Sequence, residues 1–101
     1  MMKALTWNCR GLGQPLKINA LKDIIKQEQP EIILLKETKL GGTNMDSIIT
    51  RIRNYQGVSV HPRGALGGMA TMWNQILWRL LAAHKMKYWI KLKMQSVREG
   101  T

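Results

Sequence analysis

The sequence has no phenylalanine, a single cysteine, three prolines and only six acidic residues in 101. Each scarcity excludes something. Cys9, the one cysteine, closes no disulfide within the chain, so a scaffold stapled by bridges is excluded and a hydrophobic core has to hold the fold. The longest apolar stretch near the C-terminus, residues 76–83, is too short for a membrane span and is interrupted by Arg79. The chain starts Met1-Met2-Lys3 and reaches Thr6, Asn8 and Arg10 at once, which leaves no apolar core for a signal peptide. A nuclear or cytoplasmic location is therefore expected. No repeat or low-complexity segment organises the chain, and its length is that of one domain. What is abundant is positive charge: 16 Lys and Arg against 6 Asp and Glu give a net charge of +10. Such a field attracts polyanions, nucleic acid first among them. A charged surface also serves solubility alone, and it names no reaction.

Residues 3–8 form a short, mainly apolar run holding Leu5, Thr6 and Trp7, stopped by Arg10-Gly11-Leu12-Gly13, the pattern of a strand followed by a flexible turn. Pro15 suits the first turn of a helix. Leu16, Ile18, Leu21, Ile24 and Ile25 then recur at helical spacings, with Lys17, Lys22, Asp23 and Lys26 between them, so an amphipathic helix is predicted to end before Pro30. Glu31-Ile32-Ile33-Leu34-Leu35 is a continuous apolar run, as in a parallel-sheet strand buried on both faces. Together these make a βαβ unit. Its parallel strands bring both carboxyl ends to one edge of the sheet, where ligands of open α/β sheets collect. Asn8 and Glu37 share that edge. A carboxylate and an amide there can face one bound group; polar residues at strand ends are also ordinary turn formers.

After Gly41-Gly42, Thr43 or Asn44 is placed to cap a second helix, in which Met45, Ile48, Ile49 and Ile52 keep helical spacing to about Asn54, with Arg51 and Arg53 on its polar side and Gly57 closing it. Residues 58–60 read as a strand ended by Pro62, and residues 63–68 as a glycine-bearing turn into residues 69–73, a candidate hairpin. These glycines suit a tight turn or a close backbone approach better than a phosphate cradle, because no Gly-Lys-Ser or Gly-Lys-Thr follows them. From about Gln75 the character changes. Trp73, Ile76, Leu77, Leu80 and Leu81 keep a helical spacing, whereas residues 85–94 nearly alternate, with Met86, Tyr88, Ile90, Leu92 and Met94 on one face. A helix followed by a basic strand is predicted. Arg79, Lys85, Lys87, Lys91, Lys93 and Arg98 against Glu99 place half of the net charge in the last 27 residues. A face with Trp89 among lysines can grip phosphate and stack on a base; a solvated edge strand guarded by lysines is the plainer reading. His61 reads as a loop or strand-end residue and His84 as lying on a helix surface or at its rim; neither has an acidic neighbour that would mark a general base.

ALTWNCRGLG, then PEIILLKETKL after the helix, then LGGMATMW, in that order over residues 2 to about 74, resemble the N-terminal part of the endonuclease/exonuclease/phosphatase superfamily, of the exonuclease III and DNase I type. The version most resembled is the endonuclease domain that begins the reverse-transcriptase polyprotein of plant LINE-type (non-LTR) retrotransposons. The resemblance implies hydrolysis of a phosphodiester in nucleic acid with help from a divalent metal, usually Mg2+. It makes Glu37 the metal-ligating catalytic carboxylate and puts Asn8 beside the metal and the scissile phosphate, with Lys39 as an added basic contact. The family's later catalytic groups, of Gly-Asp-Phe-Asn and Ser-Asp-His type, have no counterpart in this sequence, whose only acids beyond Glu37 are Asp46 and Glu99.

The expected architecture is α/β, an incomplete DNase I-like α/β sandwich built on the N-terminal βαβ unit. Residues 1–74 form the endonuclease-like part, and residues 75–101 a divergent basic tail, either a helix plus a basic strand or helical. The expected function is that of a truncated, catalytically inactive, retrotransposon-derived domain whose ancestral activity was metal-dependent hydrolysis of DNA. The alternative is a small basic nucleic-acid-binding protein without catalysis. On either reading the partner is the phosphate backbone of DNA or RNA, and no membrane is involved. Half a sandwich leaves one sheet face uncovered, so exposed apolar surface and self-association are expected unless the tail folds over it.

Overall fold

The computed structural model describes residues 2–63 and 67–97. Residues 64–66 of the glycine-bearing turn, and Arg98 and Glu99 of the tail, lie outside the described residues. The element order is β1 (Ala4–Asn8), α1 (Pro15–Glu28), β2 (Ile32–Lys36), α2 (Gly42–Thr50), β3 (Tyr55–Val60), β4 (Met69–Asn74), β5 (Trp78–Lys85) and β6 (Ile90–Ser96). The first four strands form one sheet in the order β1-β2-β4-β3, and β5 and β6 form a separate two-stranded sheet. The chain is thus α/β, as the expected incomplete sandwich requires.

β1 and β2 pair in parallel, Ala4 opposite Ile32 through Asn8 opposite Lys36, with α1 as the crossover. The helix starts on Pro15 and stops where Gln29 turns left-handed at φ 46°, its N–H bonded to the Ile25 carbonyl ahead of Pro30. Leu21 is fully buried, and Ile18 and Ile25 pack beside it. Leu16 is 81% exposed, because it sits two residues, about 200°, around the helix from Ile18.

β4 runs antiparallel to both β2 and β3 in the middle of the sheet. One sheet face carries Ile33, Leu35, Ala70 and Met72, and these meet Leu21 of α1 and Met45, Ile48, Ile49 and Ile52 from α2 and the turn after it in a single core. Fully burying one such side chain contributes about 1.5–3 kcal/mol, so this face carries most of the fold's stability. The run at residues 31–35 is therefore buried on one face only, and Leu34, pointing to the other, stays 40% exposed.

Two local boundaries differ from the spacing. Gly41, not Thr43 or Asn44, is the N-cap of α2, and no side chain caps the helix. The helix ends at Thr50, and the turn after it, closed by left-handed Asn54 at φ 70°, lets β3 begin at Tyr55. Tyr55 is held there by its hydroxyl, which donates to the Pro30 carbonyl. Gly57 consequently lies inside β3, where a Cβ would come within 2.8 Å of the Thr71 carbonyl oxygen of β4 and 3.0 Å of Ile49 Cδ1. The β3–β4 pairing itself is the candidate hairpin, with Val60 opposite Met69.

The predicted helix around residues 73–81 is corrected: Trp73 belongs to β4, and β5 follows after a tight turn. Asn74 sets that turn, its Oδ1 accepting from the Ile76 N–H at 2.8 Å and its carbonyl from the Leu77 N–H at 3.2 Å. The apolar run beyond it is as compatible with period two as with period 3.6, and pairing with β6 decides. Trp78 stands opposite Ser96 and Lys85 opposite Ile90, with an irregularity between Leu80 and Ala82 that leaves Leu81 out of the ladder. His84 consequently lies on a strand, opposite Lys91, rather than on a helix. The basic strand is β6, where Ile90, Leu92 and Met94 alternate with exposed Lys91 and Lys93.

This hairpin starts a second layer. Trp73 points from β4 to the face away from the helices and is only 2% exposed, sharing a recess with Leu80 of β5. Trp78 Nε1 donates to Glu31 Oε1 at 2.7 Å, tying the base of the hairpin to the entry of β2. The tail thus folds over part of the face that half a sandwich leaves open. Trp78→Phe keeps the ring and removes this donor, so we expect a loss of about 1.5 kcal/mol in urea unfolding. An unchanged unfolding midpoint would show that the hairpin is docked by other contacts.

Candidate active site

The site is built where β1 and β2 end. Their pairing continues past both strands: the Cys9 N–H donates to the Lys36 carbonyl at 2.9 Å, Gly11 to Glu37 at 2.7 Å and Leu12 to Thr38 at 2.9 Å. On the other side the Thr38 N–H donates to the Gly68 carbonyl at 3.3 Å, and Lys39 donates to Gly67. Residues 37–39 are thus gripped from both flanks. Within this grip Glu37 and Lys39 take positive φ values of 53° and 56°, and on the β1 flank Arg10 and Gly11 take 51° and 95°. A left-handed conformation at a residue with a side chain costs about 1–2 kcal/mol. Three such residues clustered at one edge persist because the backbone bonds on both sides fix them, a pattern typical of functional sites.

Glu37 is partly buried at this edge, and Gly67 makes room for it. A Cβ on Gly67 would come within 3.1 Å of Glu37 Cα, 3.2 Å of its Cβ and 3.3 Å of its Cγ. One on Gly68, itself at φ 82°, would come within 2.8 Å of Thr38 Oγ1. The close-approach reading of these two glycines therefore holds. No described residue donates a hydrogen bond to the Glu37 carboxylate. Just behind it, Thr38 is fully buried with its Oγ1 unpartnered.

Asn8, the last residue of β1, is exposed on the same edge, its Oδ1 accepting from the Arg10 N–H at 3.3 Å. It stands opposite Lys36 in the register, and Arg10, Lys36 and Lys39 are exposed around the one carboxylate. The structure thus brings the two expected residues to neighbouring strand ends in a cationic rim. His61 follows β3 at the same edge but two strands further along the sheet, against Gly41. His84 is exposed on β5.

Two residues that the sequence pattern passed over support the turn. Lys17 reads as one more solvated helix lysine, yet its Nζ donates to the Cys9 carbonyl at 2.6 Å and the Arg10 carbonyl at 2.9 Å. Cys9 is buried beneath, where burial foremost pushes its thiol up to about 11; the Lys17 charge opposes the shift and the Glu37 charge adds to it. The thiol stays protonated near neutral pH and is no nucleophile.

One carboxylate and one amide at a strand edge match a hard cation that keeps several waters and takes few protein ligands, as Mg2+ does. Among the described residues there is no cluster of three or more His, Cys, Asp or Glu that would enclose a metal by itself. Because Gly67 is what lets Glu37 sit at the edge, Gly67→Ala is expected to cost about 1–3 kcal/mol by forcing the two backbones apart. Denaturant unfolding measures this, and a neutral result would mean that the edge is not tightly packed.

No curated protein sequence matches the chain. Among solved structures it is similar to the AP endonuclease LMAP from Leishmania major, at 27% identity over 78% of this chain and 27% of that one, with a TM-score of 0.60. A 3′ phosphatase, NExo, from Neisseria, solved with a product DNA hairpin, matches at 19% identity over 83% of this chain and 30% of that one, TM-score 0.66. A humanized D. rerio TDP2 shares 12% identity over 95% of this chain and 42% of that one, TM-score 0.71, and so shares the fold. The chain spans well under half the length of each of these structures. The model of the endonuclease/exonuclease/phosphatase family matches residues 5–92, a stretch that takes in both strand ends of the site and runs into β6. That match covers most of the chain, and the chain belongs to the endonuclease/exonuclease/phosphatase family.

Proposed function

We propose that this chain carries the first part of a metal-assisted phosphodiesterase site acting on nucleic acid, with Glu37 as the carboxylate that holds Mg2+ and Asn8 as the amide that orients the scissile phosphate. The observation that carries the reading is the Glu37 backbone. It is held left-handed between two hydrogen-bonded flanks, its carboxylate free of hydrogen bonds from described residues. When bound there, Mg2+ supplies charge neutralisation at the phosphoryl oxygens and at the leaving oxygen. Asn8 offers its amide N–H groups to a phosphate oxygen, and Arg10, Lys36 and Lys39 draw the anionic backbone to the edge. The buried thiol of Cys9 takes no part.

Acid–base groups are what the sequence does not supply. Beyond Glu37 its acids are Asp46 and Glu99 alone. Asp46 is engaged with Ser59, its Oδ1 accepting from Ser59 Oγ at 3.2 Å. Loss of a general acid or base typically costs factors of about 100 to 10,000, and loss of an oxyanion donor about 100 to 1,000. Residues 1–101 by themselves therefore bind at this site without cutting. The motifs ALTWNCRGLG and PEIILLKETKL support an origin in the endonuclease domain of a plant LINE-type retrotransposon, of which this chain corresponds to the N-terminal part. The second reading, a small basic nucleic-acid-binding protein without catalysis, rests on the net charge of +10.

Calorimetric titration with Mg2+, alone and with a short DNA, separates the two. The proposal predicts Mg2+ binding that Glu37→Gln removes, while supercoiled plasmid stays intact. Nicking by the wild type that Glu37→Ala abolishes would overturn the claim that these residues do not cut. Mg2+ binding indifferent to Glu37→Gln would leave the binding module as the better account.

A further inference from the structure

A second recess, lined by basic residues, stands beside the Glu37 edge. The β5–β6 hairpin turns through residues 86–89, closed by the Met86 N–H donating to the Trp89 carbonyl at 2.9 Å. This tip meets the end of β3 around a recess of about 400 Å³ lined by Ser59, Val60, His61, Arg63, Lys85, Met86 and Lys87. No acid lines it. Arg63, Lys85 and Lys87 are exposed, and none of them forms a salt bridge with a described carboxylate. The carboxylate bordering the neighbouring recess is Asp46, which is engaged with Ser59 and shares Lys85 as a wall. Lys87 Nζ lies over the Tyr88 ring, 5.2 Å from its centroid, a contact that leaves the full positive charge available.

The position of this recess gives it meaning. Met86 and Lys87 of the hairpin line this recess, whereas Tyr88 and Ile90 line the recess of Glu37, Gly67 and Gly68, so the hairpin tip borders both. Val60 of the basic recess pairs with Met69, which lines the Glu37 recess. The two recesses are therefore neighbours along one sheet edge. By contrast Lys91 and Lys93 point outward from β6, and their strand partners are the exposed His84 and the partly buried Ala82. The tail's charge is thus divided between a recess and an outer face.

We infer that the recess between the hairpin tip and the end of β3 binds a phosphate of a polynucleotide strand that also places a phosphate at Glu37. The inference rests on the nucleic-acid reading above and adds a second contact to it. Arg63, Lys85 and Lys87 around one recess without a described carboxylate give it the charge to take a phosphoryl group; continuity with the Glu37 edge selects a phosphodiester in a chain over a free phosphate. Tyr88, 65% exposed at the boundary, offers a ring face to the intervening base.

Fluorescence anisotropy with a labelled single-stranded oligonucleotide across a salt series tests this, using the full chain and two charge-matched variants. Arg63→Gln with Lys87→Gln is expected to weaken binding about tenfold and to reduce the slope of log affinity against log salt by about 0.7, the value for one lost single-strand phosphate contact. Lys91→Gln with Lys93→Gln is expected to change neither quantity appreciably. Circular dichroism melts of both variants should match the wild type, since all four side chains are exposed. Equal effects from the two variants would overturn the recess in favour of a diffuse field. So would displacement of the oligonucleotide by inorganic phosphate at matched ionic strength with the affinity of the strand, which would make the site one for free phosphate. If the wild type binds the oligonucleotide but Arg63→Gln with Lys87→Gln is silent, this inference alone fails; if the wild type does not bind it at all, the nucleic-acid reading fails with it.

Discussion

The proposed site depends on the double-sided backbone pairing of residues 37–39. On one flank the β1–β2 ladder runs on into Gly11 and Leu12; on the other, Gly67 and Gly68 accept the N–H groups of Thr38 and Lys39. Five backbone hydrogen bonds therefore meet where two strands end, a place where a chain ordinarily loosens into a solvated turn. They hold three residues in left-handed conformations and present one carboxylate at a fixed place. Lys17 reinforces the same turn from α1 through the carbonyls of Cys9 and Arg10. Such rigidity fixes where the carboxylate is offered to a ligand.

The pairing is possible because the sheet is well anchored below it. Ile33, Leu35 and Met72 lie under α1 and α2 in a continuous core, so β2 and β4 cannot slide without exposing the whole apolar face. The other face is completed less fully. Trp73 is covered, whereas Leu34 remains partly exposed, and the β5–β6 hairpin is tied at its base by Trp78 and Glu31. That second layer gives the molecule its basic recess at the hairpin tip and places it on the edge that carries Glu37.

The βαβ unit was legible in the sequence because its signals are local and agree: Pro15, an apolar helical stripe, Pro30, then a continuous apolar run. From that topology the shared edge of Asn8 and Glu37 follows without coordinates. The hairpin was not legible as such. Residues 73–81 carry apolar side chains at spacings that fit either period, and only the turn at Asn74 and pairing with β6 select the strand. Lys17 and Arg63 were equally silent, because a lysine that caps a turn across the fold and an arginine that lines a recess look like any solvated cation. Gly67 and Gly68 were legible as points of close approach, but what approaches them, the backbone and side chains of Glu37 and Thr38, is a long-range fact.

The central claim is that the edge formed by Asn8, Glu37 and the Gly67-Gly68 strand entry is a preformed site for a divalent cation. Titration of the 15N-labelled protein with Mg2+, followed by amide chemical shifts, tests it most directly. The account predicts saturable shifts concentrated at Asn8, Gly11, Glu37, Thr38, Gly67 and Gly68, with Asp23, Glu28 and Asp46 nearly still. Shifts spread evenly over all the acidic residues, or none at the edge, would contradict it.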